Sequence, residues 1–320
     1  MIFIILFGNS KVRMKLVFLS IIYLANACRI LALSGGGAHA AFQAGVIKRL
    51  HEEGNRWTII TGISAGSFNA GLISLFKEED QSLGIKLMES LWQNITSKNV
   101  YNYNWNPIYD QSILDSSPLN NTIYTMINQF GPIKRDIIIG SVSLNTGLMR
   151  LFNMTDFQEG AIRTTNIMLA SSAIPSIFPP IFLDDEYYVD GGTFSNELII
   201  AGINYCLDNG YPNDNITIDT IICSQPIENI TNDIIKDSTI IGIAERTYDI
   251  LSNALFNHEL YGSCNKNKEI EYTYPMYIYK PVKEFNGSLF DFNHEDLIAS
   301  FSEGYNVGAG PVKPTKYCLT

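Results

Sequence analysis

The segment Gly-Ile-Ser-Ala-Gly at 62–66 has the residue types that an activated serine nucleophile needs. A serine that projects from a tight turn between a strand and a helix requires small neighbours, because larger side chains would collide with the sharply bent backbone. An apolar run at 57–61 precedes the segment and an amphipathic stretch follows it. The sequence therefore predicts a nucleophile elbow, in which Gly62 and Gly66 permit the turn and the next helix directs its positive end towards Ser64.

A run of three glycines, Gly35, Gly36 and Gly37, follows the first apolar segment at 29–33. Glycines let backbone N–H groups approach an anion closely, so this loop is a candidate anion-binding loop. A plain turn between a strand and a helix is the alternative. A dinucleotide-binding loop would need a further glycine at the position of Ala40, which disfavours that reading.

A carboxylate stands at the end of a third apolar segment, in Val189-Asp190-Gly191-Gly192. Asp-Gly-Gly alone is typical of a turn. A turn does not explain why this aspartate occurs in one chain with a nucleophile elbow and a glycine-rich loop. Asp190 is therefore grouped with the elbow and the glycine run as a candidate site residue.

Strands and helices alternate along the N-terminal third, which predicts βαβ units and a mostly parallel sheet covered by helices. The Tyr- and Asn-rich tract 101–110 is interpreted as a surface loop or lid. Strands are predicted at 29–33, 57–61, 137–142, 148–152, 187–189, 218–223 and 272–280, and helices at 38–50, after Ser64, at 83–91 and at 294–305.

Taken together, these motifs resemble the patatin-like phospholipase family. The similarity covers roughly residues 29 to 200, with a weaker trace near Gly304-Tyr305. The residues that carry it are Leu31-Ala32-Leu33-Ser34-Gly35-Gly36-Gly37, Ala44-Gly45-Val46, Gly62 to Ala70, Ala170-Ser171-Ser172-Ala173-Ile174-Pro175, Phe178-Pro179-Pro180 and Asp190-Gly191-Gly192.

The resemblance implies an α/β fold, a three-layer sandwich with a mostly parallel central sheet. It also implies a Ser64-Asp190 dyad in which Asp190 takes the serine proton directly, without a histidine. The N–H groups of Gly35, Gly36 and Gly37 would stabilise the oxyanion, and water would release the acyl group. The implied substrates are phospholipids, lysophospholipids or other acyl esters at a membrane or micelle interface, and no metal or cofactor is required.

One departure from the family pattern lies next to the glycine run. Where the family commonly has Arg-Gly, this chain has His39-Ala40, which removes a permanent cation and a flexible backbone position. His39 is interpreted either as a hydrogen-bond donor when protonated or as a solvent-facing residue of the first helical turn.

Composition restricts the function further. The formal net charge of −10 and the absence of a basic cluster disfavour a nucleic-acid partner. The 46% hydrophobic content supports a single large domain at 28–320. The five cysteines are scattered without metal-ligand spacing, so no metal site is expected, and Cys264 and Cys318 are one candidate disulfide pair.

Residues 1–27 have the order of a signal peptide: cations at 11–15, an apolar run at 16–24, then Ala25-Asn26-Ala27 before Cys28. This pattern predicts cleavage before Cys28 and a secreted or secretory-pathway protein; a membrane-associated segment or an additional element of the fold are the alternatives. Asn-x-Ser/Thr sequons suited to a glycoprotein occur at Asn94, Asn120, Asn153, Asn215, Asn229 and Asn286.

Two other functions remain open at this level. The first is an α/β-hydrolase esterase with a Ser-His-Asp triad that uses His258 or His294. Only one strand and one helix separate the glycine run from Ser64, which disfavours that fold. The second is a non-catalytic lipid-binding or storage protein of the same fold, because a fold alone does not establish activity.

Overall fold

The structure is a computed structural model that describes residues 27–106, 109–224, 236, 238–263, 272–283, 285–310 and 315–319. The strands are β1 Cys28–Leu33, β2 Ile59–Gly62, β3 Asn102–Tyr103, β4 Leu114–Asp115, β5 Ile137–Ser143, β6 Met149–Phe152, β7 Ile181–Leu183, β8 Glu186–Asp190, β9 Ile216–Ile221, β10 Tyr272–Tyr279 and β11 Thr315–Leu319. The α-helices are α1 Ala41–Glu52, α2 Ala65–Ser74, α3 Gln81–Asn94, α4 Ser117–Phe130, α5 Ala161–Ser171, α6 Ile199–Asp208, α7 Ile240–Ser263 and α8 His294–Gly308.

A nine-stranded sheet forms the centre of the fold, in the order β11-β10-β9-β1-β2-β5-β8-β7, with β6 also paired to β5. The central strands β10, β9, β1, β2 and β5 run parallel, and antiparallel strands complete both sides. In the register of β1 and β2, Leu33 lies beside Gly62. The glycine run and Ser64 therefore leave the sheet at the same edge, where ligands of open parallel sheets bind.

Alternate residues of the central strands face two separate cores. Leu31 and Leu33 contribute to a large cluster that packs helices α1 to α5 and α8, whereas Ile30 and Ala32 belong to a smaller cluster with α6. Since successive side chains of a strand point to opposite faces, this division places helices on both sides of the sheet. The three-layer α/β architecture is confirmed.

Helices α1 and α8 cross in close contact because glycines lie at the crossing point. A Cβ on Gly45 would overlap the Phe301 carbonyl, and one on Gly304 would overlap the Phe42 carbonyl. Helix α8 thus supports helix α1, which follows the glycine run.

Each predicted strand and helix is present, with ends displaced by a few residues. Residues 102–103 of the predicted lid form β3, which pairs with β4, and 107–108 lie outside the described residues. The predicted signal segment 1–27 lies outside them apart from its last residue.

A disulfide that the sequence did not specify links Cys28 at the start of β1 to Cys206 in α6. Cys264 lies outside the described residues, so its pairing with Cys318 stays a prediction. Among the helices that the structure describes, none combines the length and apolarity needed to cross a bilayer.

Candidate active site

Ser64 occupies the strained turn between β2 and α2. Its backbone has φ 52° and ψ −127°, which a residue with a side chain rarely adopts. A Cβ on Gly62 would lie 2.6 Å from the Gly66 carbonyl oxygen, and one on Gly66 would lie 2.5 Å from the Leu33 carbonyl oxygen. Only glycine fits at either position, so the local geometry is that of a nucleophile elbow.

Two buried serines brace this turn. The Ser64 N–H donates to Ser171 Oγ at 3.0 Å, and the Ser171 hydroxyl donates to the Gly140 carbonyl at 2.7 Å. Ser67 Oγ donates to the Ser64 carbonyl at 2.6 Å. These bonds connect the elbow to α5 and β5, which satisfies its backbone groups and stabilises the strained conformation.

The strand register brings Asp190 to the elbow. Gly62 of β2 pairs with Ile139 of β5, and two residues further along β5 Ser141 pairs with Asp190 of β8. At both positions β6 occupies the other edge of β5. Strand β8 must therefore pair with the same edge of β5 as β2 does, at the point where β2 ends. This pairing places Asp190 directly beyond the end of β2, next to the turn that holds Ser64.

Asp190 is fully buried. Its Oδ1 accepts the Gly192 N–H at 2.7 Å, while Oδ2 makes no hydrogen bond of normal geometry with any described residue. Burial raises the pKa of this carboxyl to about 7, and the nearby Ser64 hydroxyl and the Gly192 N–H oppose that rise. A carboxyl with such a pKa can act as a general base near neutral pH.

The three glycines of the predicted oxyanion hole differ in what their N–H groups contact. The Gly35 N–H donates to Asn196 Oδ1 at 3.1 Å. In the part of the chain that the structure describes, the N–H groups of Gly36 and Gly37 have no hydrogen-bond acceptor. Gly37 has φ 52° and lies against the Leu289 carbonyl, so a side chain there would be both strained and blocked.

Ser64 lines an apolar pocket of about 60 Å³. Its wall includes Gly37 of the glycine run and the rings of Phe68, Trp92, Phe178 and Phe292. The Trp92 and Phe292 rings are stacked, with their centroids 6.5 Å apart. A chain of CH₂ groups suits such a wall, because apolar surface contributes binding energy without requiring hydrogen bonds.

His39 is buried, and the interpretation of it as a solvent-facing residue is wrong. The residue is 4% exposed, and its ring stacks on Phe285 with a centroid distance of 4.3 Å. Burial lowers the pKa of this imidazole to about 4, while a weak contact with the Gly287 carbonyl opposes the change. The ring is therefore neutral near pH 7 and does not replace the family's cation.

Three side chains at the site were not identified from the sequence. Ser171 lies in a motif that carried the family resemblance, although no role followed from it. Asn196 and Tyr248 gave no local signal, because their positions depend on a loop and a helix that approach the site from elsewhere in the chain. Among the described residues, no group of His, Cys, Asp and Glu is arranged to hold a metal ion.

Two curated relatives share part of this sequence. The cGAMP-activated phospholipase of Vibrio cholerae serotype O1 is 29% identical over 212 residues, which are 57% of this chain and 58% of the relative. The probable lipid hydrolase 463L of invertebrate iridescent virus 6 is 26% identical over 189 residues, 55% of this chain and 64% of the relative. The chain thus spans less than two-thirds of the length of either relative.

Two solved structures show weak overall likeness. VipD from Legionella pneumophila has a TM-score of 0.43 at 13% identity, over 88% of this chain and 66% of that chain. The type III effector protein ExoU has a TM-score of 0.43 at 11% identity, over 91% of this chain and 55% of that chain.

A family model described as patatin-like phospholipase matches residues 31–201, which are more than half of the sequence. The chain belongs to the patatin-like phospholipase family.

Proposed function

We propose that this protein is a lipid acyl hydrolase of the phospholipase A or lysophospholipase type, with Ser64 as nucleophile and Asp190 as general base. The observation that carries the proposal is the position of Ser64 on a strained elbow, at the start of an apolar pocket and beside a buried carboxyl whose pKa is about 7. Family membership supports the same activity.

The proposed reaction has two halves. Ser64 Oγ attacks the ester carbonyl carbon while its proton moves to Asp190, and the tetrahedral oxyanion then collapses to an acyl-enzyme. The leaving alcohol takes the proton from Asp190. Water next attacks the acyl carbonyl with Asp190 again as base, and the departing Ser64 oxygen recovers its proton as the fatty acid leaves.

In this proposal the glycine run stabilises the oxyanion. The N–H groups of Gly36 and Gly37 are better suited than that of Gly35, which donates to Asn196. The start of α2 adds its positive end at the same place, because Ser64 is the N-cap residue of that helix. No step requires a metal.

The substrate class follows from the pocket. Aromatic and aliphatic side chains line it beyond Ser64, which suits the acyl chain of a lipid. Its open volume of about 60 Å³ is small, whereas ligand pockets usually measure roughly 300–1,000 Å³. A short-chain ester is thus the appropriate first reporter, and longer chains require the pocket to widen at a membrane or micelle interface.

The triad alternative finds little support in the side-chain positions. The side chains of His258 and His294 are exposed to solvent, and neither lines the pocket at Ser64. His39 is near the site but is buried against Phe285. The non-catalytic alternative does not explain why a strained serine and a buried carboxyl lie at the same site.

The test uses hydrolysis of a short-chain ester and labelling by a fluorophosphonate probe. Ser64→Ala should abolish labelling, and Asp190→Asn should lower the hydrolysis rate by about two to four orders of magnitude, the usual contribution of a positioned base. Because the two residues act as a unit, the double variant should be hardly slower than either single one. Ser74→Ala is the matched control and should retain activity. Ser74 is also a buried serine, and it is the last residue of helix α2, whose N-cap residue is Ser64.

Histidine variants separate the two enzyme mechanisms. His258→Gln and His294→Gln should keep activity within about tenfold, a change of around 1.4 kcal/mol in the barrier. An inactive histidine variant together with an active Asp190→Asn would establish the triad instead. Full activity of Ser64→Ala would refute the proposed function altogether.

We also propose that the chain enters an oxidising secretory compartment. The Cys28–Cys206 disulfide supports this, because such bonds persist mainly outside reducing compartments. Four sequon asparagines, Asn94, Asn120, Asn153 and Asn286, are exposed and accessible for glycosylation.

A further inference from the structure

Helix α7 brings an aromatic side chain close to the two proposed catalytic residues, although it lies beyond the segment that matches the family model. A Cβ on Gly35 would lie 2.6 Å from the Tyr248 hydroxyl and 3.0 Å from Ser64 Cβ. A Cβ on Gly192 would lie 2.7 Å from the same hydroxyl and 3.1 Å from Asp190 Oδ1. The phenol oxygen therefore neighbours both Ser64 and Asp190, and the glycines leave the space that it occupies.

The Tyr248 hydroxyl is buried without a hydrogen bond of normal geometry to any described residue. The side chain as a whole is 8% exposed. Leaving a buried polar group unpaired destabilises the folded protein, so a hydroxyl at this position requires an explanation. A phenylalanine would fill the same space without that cost.

Burial and the neighbouring carboxylates keep the phenol of Tyr248 protonated. Burial and the Asp190 carboxylate raise the pKa of the phenol well above its usual value, and Asp249 of the same helix acts in the same direction. The nearby hydroxyls of Ser252 and Ser64 oppose the rise. Tyr248 is consequently a neutral hydrogen-bond donor across the pH range of an esterase assay.

We propose that Tyr248 is a positioning residue whose hydroxyl donates a hydrogen bond to Ser64 Oγ. The Ser64 oxygen then has its own proton directed towards Asp190, which is the arrangement that the first half-reaction needs. The same bond would hold the Ser64 oxygen when it departs in the second half-reaction. This inference rests on the proposed function and adds a third side chain to it, from outside the family-model segment.

The test is Tyr248→Phe, which removes only the hydroxyl. With a short-chain ester, kcat should fall about tenfold and KM should remain unchanged, because ground-state binding in the apolar pocket is not affected. The nearby Ser64 hydroxyl lowers the pKa of Asp190, and this effect weakens when Ser64 is free to rotate. The rising limb of the pH–rate profile should therefore move to higher pH.

Tyr274→Phe is the matched control. Tyr274 is 1% exposed and its hydroxyl donates to Asn213 Oδ1 at 2.7 Å, but it lies in the smaller core with α6 and not at Ser64. This variant should keep the wild-type rate per labelled active site and the wild-type pH profile. A rate loss from poor folding alone would also leave the position of the rising limb unchanged.

A ring-fluorinated tyrosine at position 248 gives an independent test that preserves the shape of the side chain. Its phenol is a stronger donor, so the rising limb should move to lower pH than in the wild type. An unchanged rate or an unmoved limb in the Phe variant, or an unmoved limb in the fluorinated variant, would refute the role of Tyr248. That result would leave the proposed function intact as long as Ser64→Ala and Asp190→Asn remain inactive.

Discussion

Asp190 should destabilise the folded protein at neutral and alkaline pH, and Asp190→Asn should remove that effect. Burial raises the pKa of this carboxyl from its usual 3.8 to about 7. Between those two pH values the folded chain keeps the proton that the unfolded chain releases. The free energy of unfolding therefore decreases as pH rises through this window, and the full penalty is present above the folded pKa.

The size of the penalty follows from the same values. A shift of one unit corresponds to 1.36 kcal/mol, so a rise from 3.8 to about 7 amounts to about 4 kcal/mol as an upper limit. Asparagine has the same shape and keeps an oxygen for the Gly192 N–H, which donates at 2.7 Å. We expect the free energy of unfolding of Asp190→Asn to exceed that of the wild type by about 2–4 kcal/mol at about pH 8 and to be nearly equal to it at about pH 3.5.

Urea unfolding at several pH values measures this difference directly. In thermal melts the same gain corresponds to roughly 3–6 °C for a chain of this length. Ser64→Ala is the control: it is expected to be equally inactive but to keep the Asp190 carboxyl, so it should show no gain. A difference in the free energy of unfolding between Asp190→Asn and the wild type that does not change with pH would refute the reasoning from burial.

Two further predictions concern the buried histidine beside the site, His39, and the start of the mature protein. His39→Gln should keep activity within about tenfold and leave the pH–rate profile above about pH 5 unchanged, because the imidazole pKa of about 4 makes the ring neutral there. Steady-state kinetics across that pH range measure this. An additional titration in the wild-type profile that is lost in the variant would show that the ring carries charge. Protein from a secreting host should begin at or near Cys28, and N-terminal sequencing that finds Met1 would contradict the proposed cleavage.

The sequence alone predicts the parts of the site that depend on local backbone geometry. Gly62 and Gly66 lie on either side of Ser64 because only small residues fit a sharp turn. The segment 62–66 by itself therefore predicts the turn. The strands are predictable for a similar reason, since their apolar runs must be buried in the sheet whatever lies next to them. The residues alone identify Asp190 only as a carboxylate at a strand end, and its pairing with Ser64 is predicted from the family resemblance.

Only the tertiary structure decides the contacts between distant segments. The pairing of β8 with β5 at Ser141 places Asp190 beyond β2 and buries it, which raises its pKa. Helix α7 brings Tyr248 to Ser64, and the Cys28–Cys206 bond joins β1 to α6. Such contacts leave no periodic trace in the sequence, because they depend on how the sheet orders its strands and not on the propensity of any single segment.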